Sequence, residues 1–234
     1  MANNYFQFKQ FRIEQDRCAM KVTTEACLFG AWVDTCKKKR ILDIGAGTGL
    51  LSLMLAQRSD AMIDAVEINE QAASQCRENF LRSPWPKRLN GYHTSIQDFF
   101  PPGQYDLIIC NPPFYLNSLP TSDHEKNEVR HVNSLTFETL AQSVSRLLSP
   151  GGHFHVLMPE HESKLFSEAA LREGLFMNTQ LRVLNQSGAA KIFRLVTSFS
   201  RNETELTENS FAIRKGHEYS REFKKLLRDY YLLL

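Results

Sequence analysis

The feature that most constrains the fold is a glycine-rich segment placed between an apolar run and a helix. Residues 41–44 are predicted to form a short buried strand, which leads directly into Gly45-Ala46-Gly47-Thr48-Gly49 and then into a helix at residues 50–58. Glycine permits a tight turn and a close approach of a ligand to the backbone, while the helix directs its unpaired N–H groups toward that ligand. The segment therefore predicts the first unit of an α/β fold with a polar cofactor bound at the loop.

An acidic residue follows the glycine segment at a distance typical of nucleoside cofactors. The next predicted strand, residues 63–68, contains Glu67, eighteen residues after Gly49. A carboxylate there can accept hydrogen bonds from both hydroxyls of a ribose. A nicotinamide dinucleotide would also suit this combination, but the spacing GxGxG preceded by Asp43 differs from the GxGxxG of dinucleotide sites. A glycine turn without a ligand is the remaining alternative, and the flanking strand, helix and acid argue against it.

A second candidate site, Asn111-Pro112-Pro113-Phe114, follows the apolar run at residues 105–110. Because prolines lack an N–H group and cannot continue a sheet ladder, the chain is expected to turn at the carboxyl end of this strand. The Asn111 side-chain oxygen and the Pro112 carbonyl can accept the two N–H bonds of an exocyclic amino group, and Phe114 can stack on the ring that carries it. The four residues alone would equally suit a proline turn that ends a strand.

The remainder of the chain predicts an α/β alternation with seven main strands. Residues 5–13 predict a short hairpin or two extended segments, and Thr23 is predicted to cap a helix that extends to residue 32. Residues 116–133 are predicted to form a long loop beside the second site, and residues 201–209 to be irregular. The last two main strands are expected to form a hairpin.

The end of the chain predicts a closing helix at residues 219–234, with Lys224, Lys225 and Arg228 on one side. Residues 1–40 hold eight Lys/Arg against four Asp/Glu, and residues 210–234 hold six against three. A polyanion could dock on these basic flanks, although solvated faces are the simpler interpretation of an isolated charge run.

Composition limits the class of protein. We expect one domain with an amino-terminal lid or platform (1–40), an α/β core (41–200) and a carboxyl-terminal extension (201–234). The five cysteines form no CxxC pair and have no histidine at ligand spacing, which argues against a metal site and a disulfide framework. Without an apolar signal core or a membrane-length apolar segment, we expect a cytoplasmic protein. We also expect a monomer. His153 and His155 are interpreted as one exposed and one packed residue of a strand rather than a catalytic pair.

The order of these motifs resembles the class I, Rossmann-like methyltransferases that use S-adenosylmethionine. The tetrapeptide resembles the motif of amino-group methyltransferases, and the segments at residues 8–22, 30–32 and 83–85 with the tyrosine-rich end resemble the bacterial tRNA1(Val) (adenine-37-N6) methyltransferase family. The resemblance implies a seven-stranded, mostly parallel sheet of order 3-2-1-4-5-7-6 with strand 7 antiparallel. It also implies formation of N6-methyladenosine at adenine 37, next to the anticodon of a valine tRNA.

Several alternatives to this function stay open. They are methylation of a ribosomal guanine N2 or a release-factor glutamine amide, a non-catalytic RNA-binding module, and a nicotinamide oxidoreductase.

The resemblance also implies roles for individual residues. The implied contacts are Asp43, Gly45, Gly47 and Gly49 with the methionine part of the cofactor, Glu67 with its ribose, Asp98 with its adenine, Lys21 and Thr23 in the segment that closes over the cofactor, Asn111 with both cofactor and target, and Pro112, Pro113 and Phe114 with the target.

Overall fold

A computed structural model of the protein describes residues 3–112 and 135–233. Pro113, Phe114 and the loop predicted at residues 116–133 lie outside the described residues. The strands are β1 (Tyr5–Gln7), β2 (Arg12–Glu14), β3 (Arg40–Ile44), β4 (Met62–Glu67), β5 (Leu89–His93), β6 (Tyr105–Cys110), β7 (Leu148–Met158), β8 (Phe176–Gln186), β9 (Arg194–Ser200), β10 (Thr207–Lys215) and β11 (Glu218–Tyr219). The helices are α1 (Thr24–Trp32), α2 (Leu50–Ala56), α3 (Glu70–Leu81), α4 (Phe137–Leu147), α5 (Glu160–Arg172) and α6 (Arg221–Leu227), with a 3-10 turn at Pro86–Arg88.

The main sheet has the order β11-β10-β8-β9-β7-β6-β3-β4-β5. Strands β3 to β7 pair in parallel, and β9 is antiparallel to both β7 and β8. Counted from β3, the first seven strands stand in the order 3-2-1-4-5-7-6, so the predicted fold class is confirmed. The carboxyl ends of β3, β4 and β6 meet at one edge, where an open α/β sheet binds its ligands.

The sheet is longer than the sequence predicted, because β10 and β11 extend it beyond β8. The expectation of irregular chain at residues 201–209 is wrong at its end, since β10 begins at Thr207 and pairs in parallel with β8. Most β10 side chains are exposed. A strand whose side chains are mostly solvated lacks the apolar alternation by which strands are recognised.

Two apolar layers cover the sheet. Buried residues of α1, α2, α3 and α6 form one layer with the amino-terminal segment, and those of α4 and α5 form the other. Neighbouring strand residues contribute to opposite layers, as Ile41 and Leu42 do, because successive side chains in a strand point to opposite faces. His153 and His155 lie two residues apart on β7 and so share a face: their rings stack at 6.4 Å, His155 buried and His153 partly exposed.

The two ends of the chain pack together. Of the two arrangements predicted for residues 5–13, the hairpin is the one observed, with β1 and β2 antiparallel. Thr23 caps α1, as predicted, by accepting a hydrogen bond from the Ala26 N–H at 3.3 Å. The closing helix is shorter than predicted because the chain leaves α6 to form an isolated bridge between Tyr231 and Phe8. None of the described helices is long and apolar enough to cross a membrane.

Candidate active site

A cavity of about 680 Å³ opens at the carboxyl ends of β3, β4 and β6. Its walls come from the amino-terminal segment, the glycine loop, the end of β4, the chain after β5 and the end of β6. The structure thus brings the glycine loop and Asn111, which are distant along the chain, to one cavity. The predicted site residues that line it are Lys21, Gly45, Gly47, Glu67 and Asn111.

The glycine loop is hydrogen-bonded to the end of β4, and open space lies beside Gly45. The N–H groups of Gly45 and Ala46 both donate to the Val66 carbonyl, at 2.8 and 3.1 Å. Gly45 has a φ of +69°, a conformation that favours glycine, and a Cβ added there would meet no protein atom within 4 Å. The backbone of the loop is therefore free to contact a ligand in the cavity.

Gly49 and Asp43 stand behind the loop and are not among the residues that line the cavity. A Cβ on Gly49 would lie 2.5 Å from the Phe80 ring, so this position must be glycine for the loop to pack on α3. The Asp43 carboxylate is buried and accepts hydrogen bonds from Ser52. Burial raises its pKa to about 7.

Glu67 lines the cavity at the end of β4 with its carboxylate fixed by backbone groups. Oε2 accepts the Gly47 N–H at 2.9 Å, and Oε1 accepts the Asn69 N–H at 2.8 Å. A carboxylate has about four lone-pair sites, so both oxygens keep acceptor capacity for a ligand. The side chain is thereby oriented before a ligand arrives.

Asn111 presents an unsatisfied acceptor at the opposite side of the cavity. Its Oδ1 is buried and has no hydrogen-bond partner among the described residues, while its Nδ2 lies 3.9 Å from the Met20 sulfur. A buried acceptor without a donor costs about 1–3 kcal/mol. Because Asn111 lines the cavity, this oxygen can accept an N–H bond from a ligand there, such as an amine. Pro112, directly after it, is buried.

The amino-terminal wall of the cavity, residues 17–22, is held by two glutamines that the sequence did not single out. The Gln75 side chain on α3 is buried, donates to Asp16 and accepts the Arg17 N–H at 3.1 Å. Gln15 accepts the Val22 N–H at 2.8 Å. The signal for Gln75 was a polar residue on the buried side of an amphipathic helix, whereas no pattern marked Gln15.

Of the predicted site residues Lys21, Thr23 and Asp98, only Lys21 lines the cavity. Lys21 donates to the Gln15 carbonyl and lines the cavity, while Thr23 caps α1 and does not. The exposed Asp98 carboxylate accepts the Ser95 hydroxyl at 2.6 Å. Ser95 and its neighbours line the cavity where Asp98 does not, and local sequence could not distinguish these adjacent positions. The lining residues missed by the sequence there are Thr94, Ser95, Ile96 and Gln97.

Nothing in residues 3–112 or 135–233 resembles a metal centre. No three His, Cys, Asp or Glu side chains of these ranges are grouped so as to hold an ion, and the five cysteines are free. Cys18 lies beside the glycine loop, since its sulfur would be 3.4 Å from a Cβ atom added at Gly47. Burial raises the pKa of the Cys18 thiol.

Comparison with known proteins assigns the chain to a family. The sequence model of the methyltransferase small domain matches residues 24–194. The chain is 44% identical over 236 residues to the tRNA1(Val) (adenine(37)-N6)-methyltransferase of Dyadobacter fermentans, covering 98% of both chains. It is 42% identical over 236 residues to the protein of the same name from Bacteroides thetaiotaomicron, covering all of both chains.

Solved structures support the fold. A predicted O-methyltransferase from Agrobacterium tumefaciens superimposes with a TM-score of 0.65 at 18% identity, over 87% of this chain and 95% of that one. A putative RNA methyltransferase from Pyrococcus horikoshii superimposes with a TM-score of 0.53 at 15% identity, over 75% of this chain and 81% of that one. Taken with the full-length sequence matches, these similarities show that the chain belongs to the methyltransferase small domain family and, within it, to the tRNA1(Val) (adenine(37)-N6)-methyltransferases.

Proposed function

We propose that this protein transfers a methyl group from S-adenosylmethionine to the N6 amine of adenine 37 in tRNA1(Val). The observation that carries the proposal is that the glycine loop, Glu67 and the unsatisfied oxygen of Asn111 share one cavity. One wall has groups that can hold a nucleoside cofactor, and the other has an oxygen that can accept an N–H bond from an amine. The names of the full-length relatives supply the choice of RNA.

The residues at the cofactor wall fit S-adenosylmethionine. The open space beside Gly45 admits the methionine part against the loop backbone, and the oriented carboxylate of Glu67 can accept the ribose hydroxyls. Residues 94–97 line the part of the cavity where the adenine would lie. When bound, S-adenosylmethionine would supply an electrophilic methyl group on its sulfonium centre.

At the target wall, positioning and electrostatics do most of the catalytic work. The amine of adenine is a poor nucleophile because its lone pair is delocalised into the ring. The Asn111 oxygen and the Pro112 carbonyl would accept its two N–H bonds, favour a pyramidal nitrogen and stabilise the positive charge that develops there. No base is required before attack, and Asn111 needs no proton transfer to fulfil this role.

Adenine must leave its stack to enter the cavity. Extrusion costs a few kcal/mol, and less when the base is in a single-stranded loop. Phe114 lies outside the described residues, and its role as a stacking partner for the extruded base is a prediction from the tetrapeptide. On this proposal, the protein contributes acceptors at the amine and an aromatic surface at the ring.

The first test separates the cofactor class from the substrate. Calorimetry without RNA is expected to show binding of S-adenosylmethionine and of its demethylated product, and no binding of NAD. Binding of NAD with no heat from either of the other ligands would overturn the methyltransferase proposal.

The second test identifies the acceptor. Radiolabelled S-adenosylmethionine is incubated with a tRNA1(Val) transcript, and in parallel with the same transcript carrying guanine at position 37. Label is expected only on the first. Label on ribosomal RNA or on a release factor, each supplied separately, with none on the tRNA would move the target to guanine N2 or to a glutamine amide.

A further inference from the structure

A second concave surface lies on the outside of the carboxyl-terminal helix. It has a volume of about 540 Å³, and we call it the basic concavity. Five of its seven lining residues are cations, and no carboxylate lines it among the described residues. The lining residues are Lys9, Arg221, Lys224, Lys225, Arg228, Tyr231 and Leu232.

The packing of the two chain ends builds the basic concavity. The Lys9 N–H donates to the Tyr230 carbonyl at 2.8 Å, and the Lys9 ammonium donates to the Arg228 carbonyl at 2.6 Å. Phe223 and Leu227 are buried on the inner side of α6. The amphipathic pattern of α6 therefore places its cations together on the outer side, beside the turn of the amino-terminal hairpin.

Most of this positive charge is uncompensated. Lys224 pairs with Glu218 at 2.8 Å and Arg228 with Asp229 at 3.4 Å, and exposed pairs of this kind are weak. Within the described part of the chain, Arg221 and Lys225 have no carboxylate within salt-bridge distance. A polyanion could thus replace the weak pairs and engage the remaining cations.

We propose that the basic concavity binds phosphate groups of the RNA backbone and so holds the substrate during methyl transfer. This inference rests on the proposed function. Guanidinium groups match phosphate oxygens in a forked geometry, and ammonium groups act as point charges. Contacts to phosphate fix the position of a nucleic acid without reading its sequence, so the basic concavity contributes affinity rather than choice of base.

The hairpin connects the basic concavity with the active site. Lys9 lies in its turn, and Arg17, eight residues later, lines the cofactor cavity. Eight residues span at most about 29 Å even when fully extended. Both α2, which begins at the glycine loop, and α6 pack on the same face of the sheet. One RNA molecule can therefore contact both sites.

The test compares two triple variants of equal charge change. The first, Arg221→Gln, Lys225→Gln and Arg228→Gln, removes exposed cations of the basic concavity. The matched control, Lys164→Gln, Arg172→Gln and Lys191→Gln, removes three cations that are also exposed and do not line the basic concavity. For each protein, tRNA affinity is measured against salt concentration, together with KM, kcat and S-adenosylmethionine affinity.

The first triple variant is expected to weaken tRNA binding about tenfold and to raise KM. It should flatten the slope of log affinity against log salt by about 2, since each lost phosphate contact removes roughly 0.7 from that slope for a single strand. Its kcat and cofactor affinity should equal those of the parent protein. The control triple should retain the parent slope.

Several outcomes would overturn the inference. An unchanged slope and KM in the first triple would do so, and so would an equal loss in both triples, which would reflect net charge alone. Binding to phosphatidylserine vesicles that is lost in the first triple, with tRNA affinity intact, would assign the basic concavity to a membrane surface. If the parent protein binds tRNA through these cations but methylates none, the proposed function fails, and of the inference only the binding of RNA phosphates by the basic concavity is retained.

Discussion

Oδ2 of Asp43 accepts two hydrogen bonds from Ser52, one from its backbone N–H at 3.1 Å and one from its hydroxyl at 2.7 Å. Ser52 is the third residue of α2, where the N–H has no partner inside the helix and is usually satisfied by the N-cap side chain. The N-cap of α2 is Gly49, which has no side chain. Asp43, at the end of β3, therefore supplies the capping acceptor that the glycine loop cannot.

The first prediction follows from this arrangement. Asp43→Ala leaves the Ser52 N–H and hydroxyl buried without their acceptor, which should cost about 1–3 kcal/mol in the free energy of unfolding. Asp43→Asn keeps an acceptor oxygen and should cost less. Urea unfolding of the three proteins tests this. Equal stability of the alanine variant and the parent would mean that the two hydrogen bonds contribute nothing.

The second prediction concerns pH. Burial raises the pKa of Asp43 to about 7, from 3.8 for an unperturbed aspartate. Between these values the native state keeps a proton that the unfolded chain has released, so the contribution of Asp43 makes stability fall as pH rises from about 4 to 7. Asp43→Asn cannot titrate.

Between pH 5 and pH 7 the free energy of unfolding of the parent should therefore fall by about 2 kcal/mol more than that of Asp43→Asn, since one pKa unit corresponds to about 1.4 kcal/mol. Stability curves at the two pH values measure this. The control Asp60→Asn, at an exposed position, should follow the parent. A parallel pH response of parent and Asp43→Asn would contradict a proton held by buried Asp43.

Sequence patterns were sufficient to predict those parts of the fold that depend on neighbouring residues or on the order of motifs. The glycine loop, the Thr23 cap and the strand order follow from propensity, spacing and family resemblance. The sequence could not show that Asp43 lies behind the loop, because the direction of its side chain depends on which face of β3 receives α2. Likewise, the sequence could not show that Gln75 holds the amino-terminal wall, because Gln75 and its partner Arg17 are 58 residues apart in the chain and meet only in the fold.

The third prediction concerns the cofactor. Glu67→Ala removes the acceptor expected at the ribose and also the hydrogen bond from the Gly47 N–H. Because hydrogen bonds to charged groups contribute roughly 1.5–3 kcal/mol, S-adenosylmethionine should bind about ten- to a hundredfold more weakly. Glu67→Gln keeps one acceptor oxygen and should lose less.

Calorimetry with S-adenosylmethionine measures this loss. Glu70→Ala is the matched control, since Glu70 is an exposed carboxylate three residues further along the chain. Parent-like affinity in Glu67→Ala would place the ribose elsewhere in the cavity.

The last prediction separates chemistry from binding at Asn111. Its Oδ1 has no partner among the described residues, so Asn111→Ala removes no hydrogen bond of that oxygen and should leave the fold nearly unchanged. If this oxygen serves the target amine rather than the cofactor, the affinity for S-adenosylmethionine should also stay close to that of the parent protein. Methyl transfer to tRNA1(Val) should nevertheless fall by about 10²- to 10³-fold, the loss typical of one group that stabilises developing charge. Single-turnover rates with saturating tRNA and cofactor measure the chemical step directly. A variant that binds S-adenosylmethionine normally and transfers its methyl group at the parent rate would show that the amine is held by other residues.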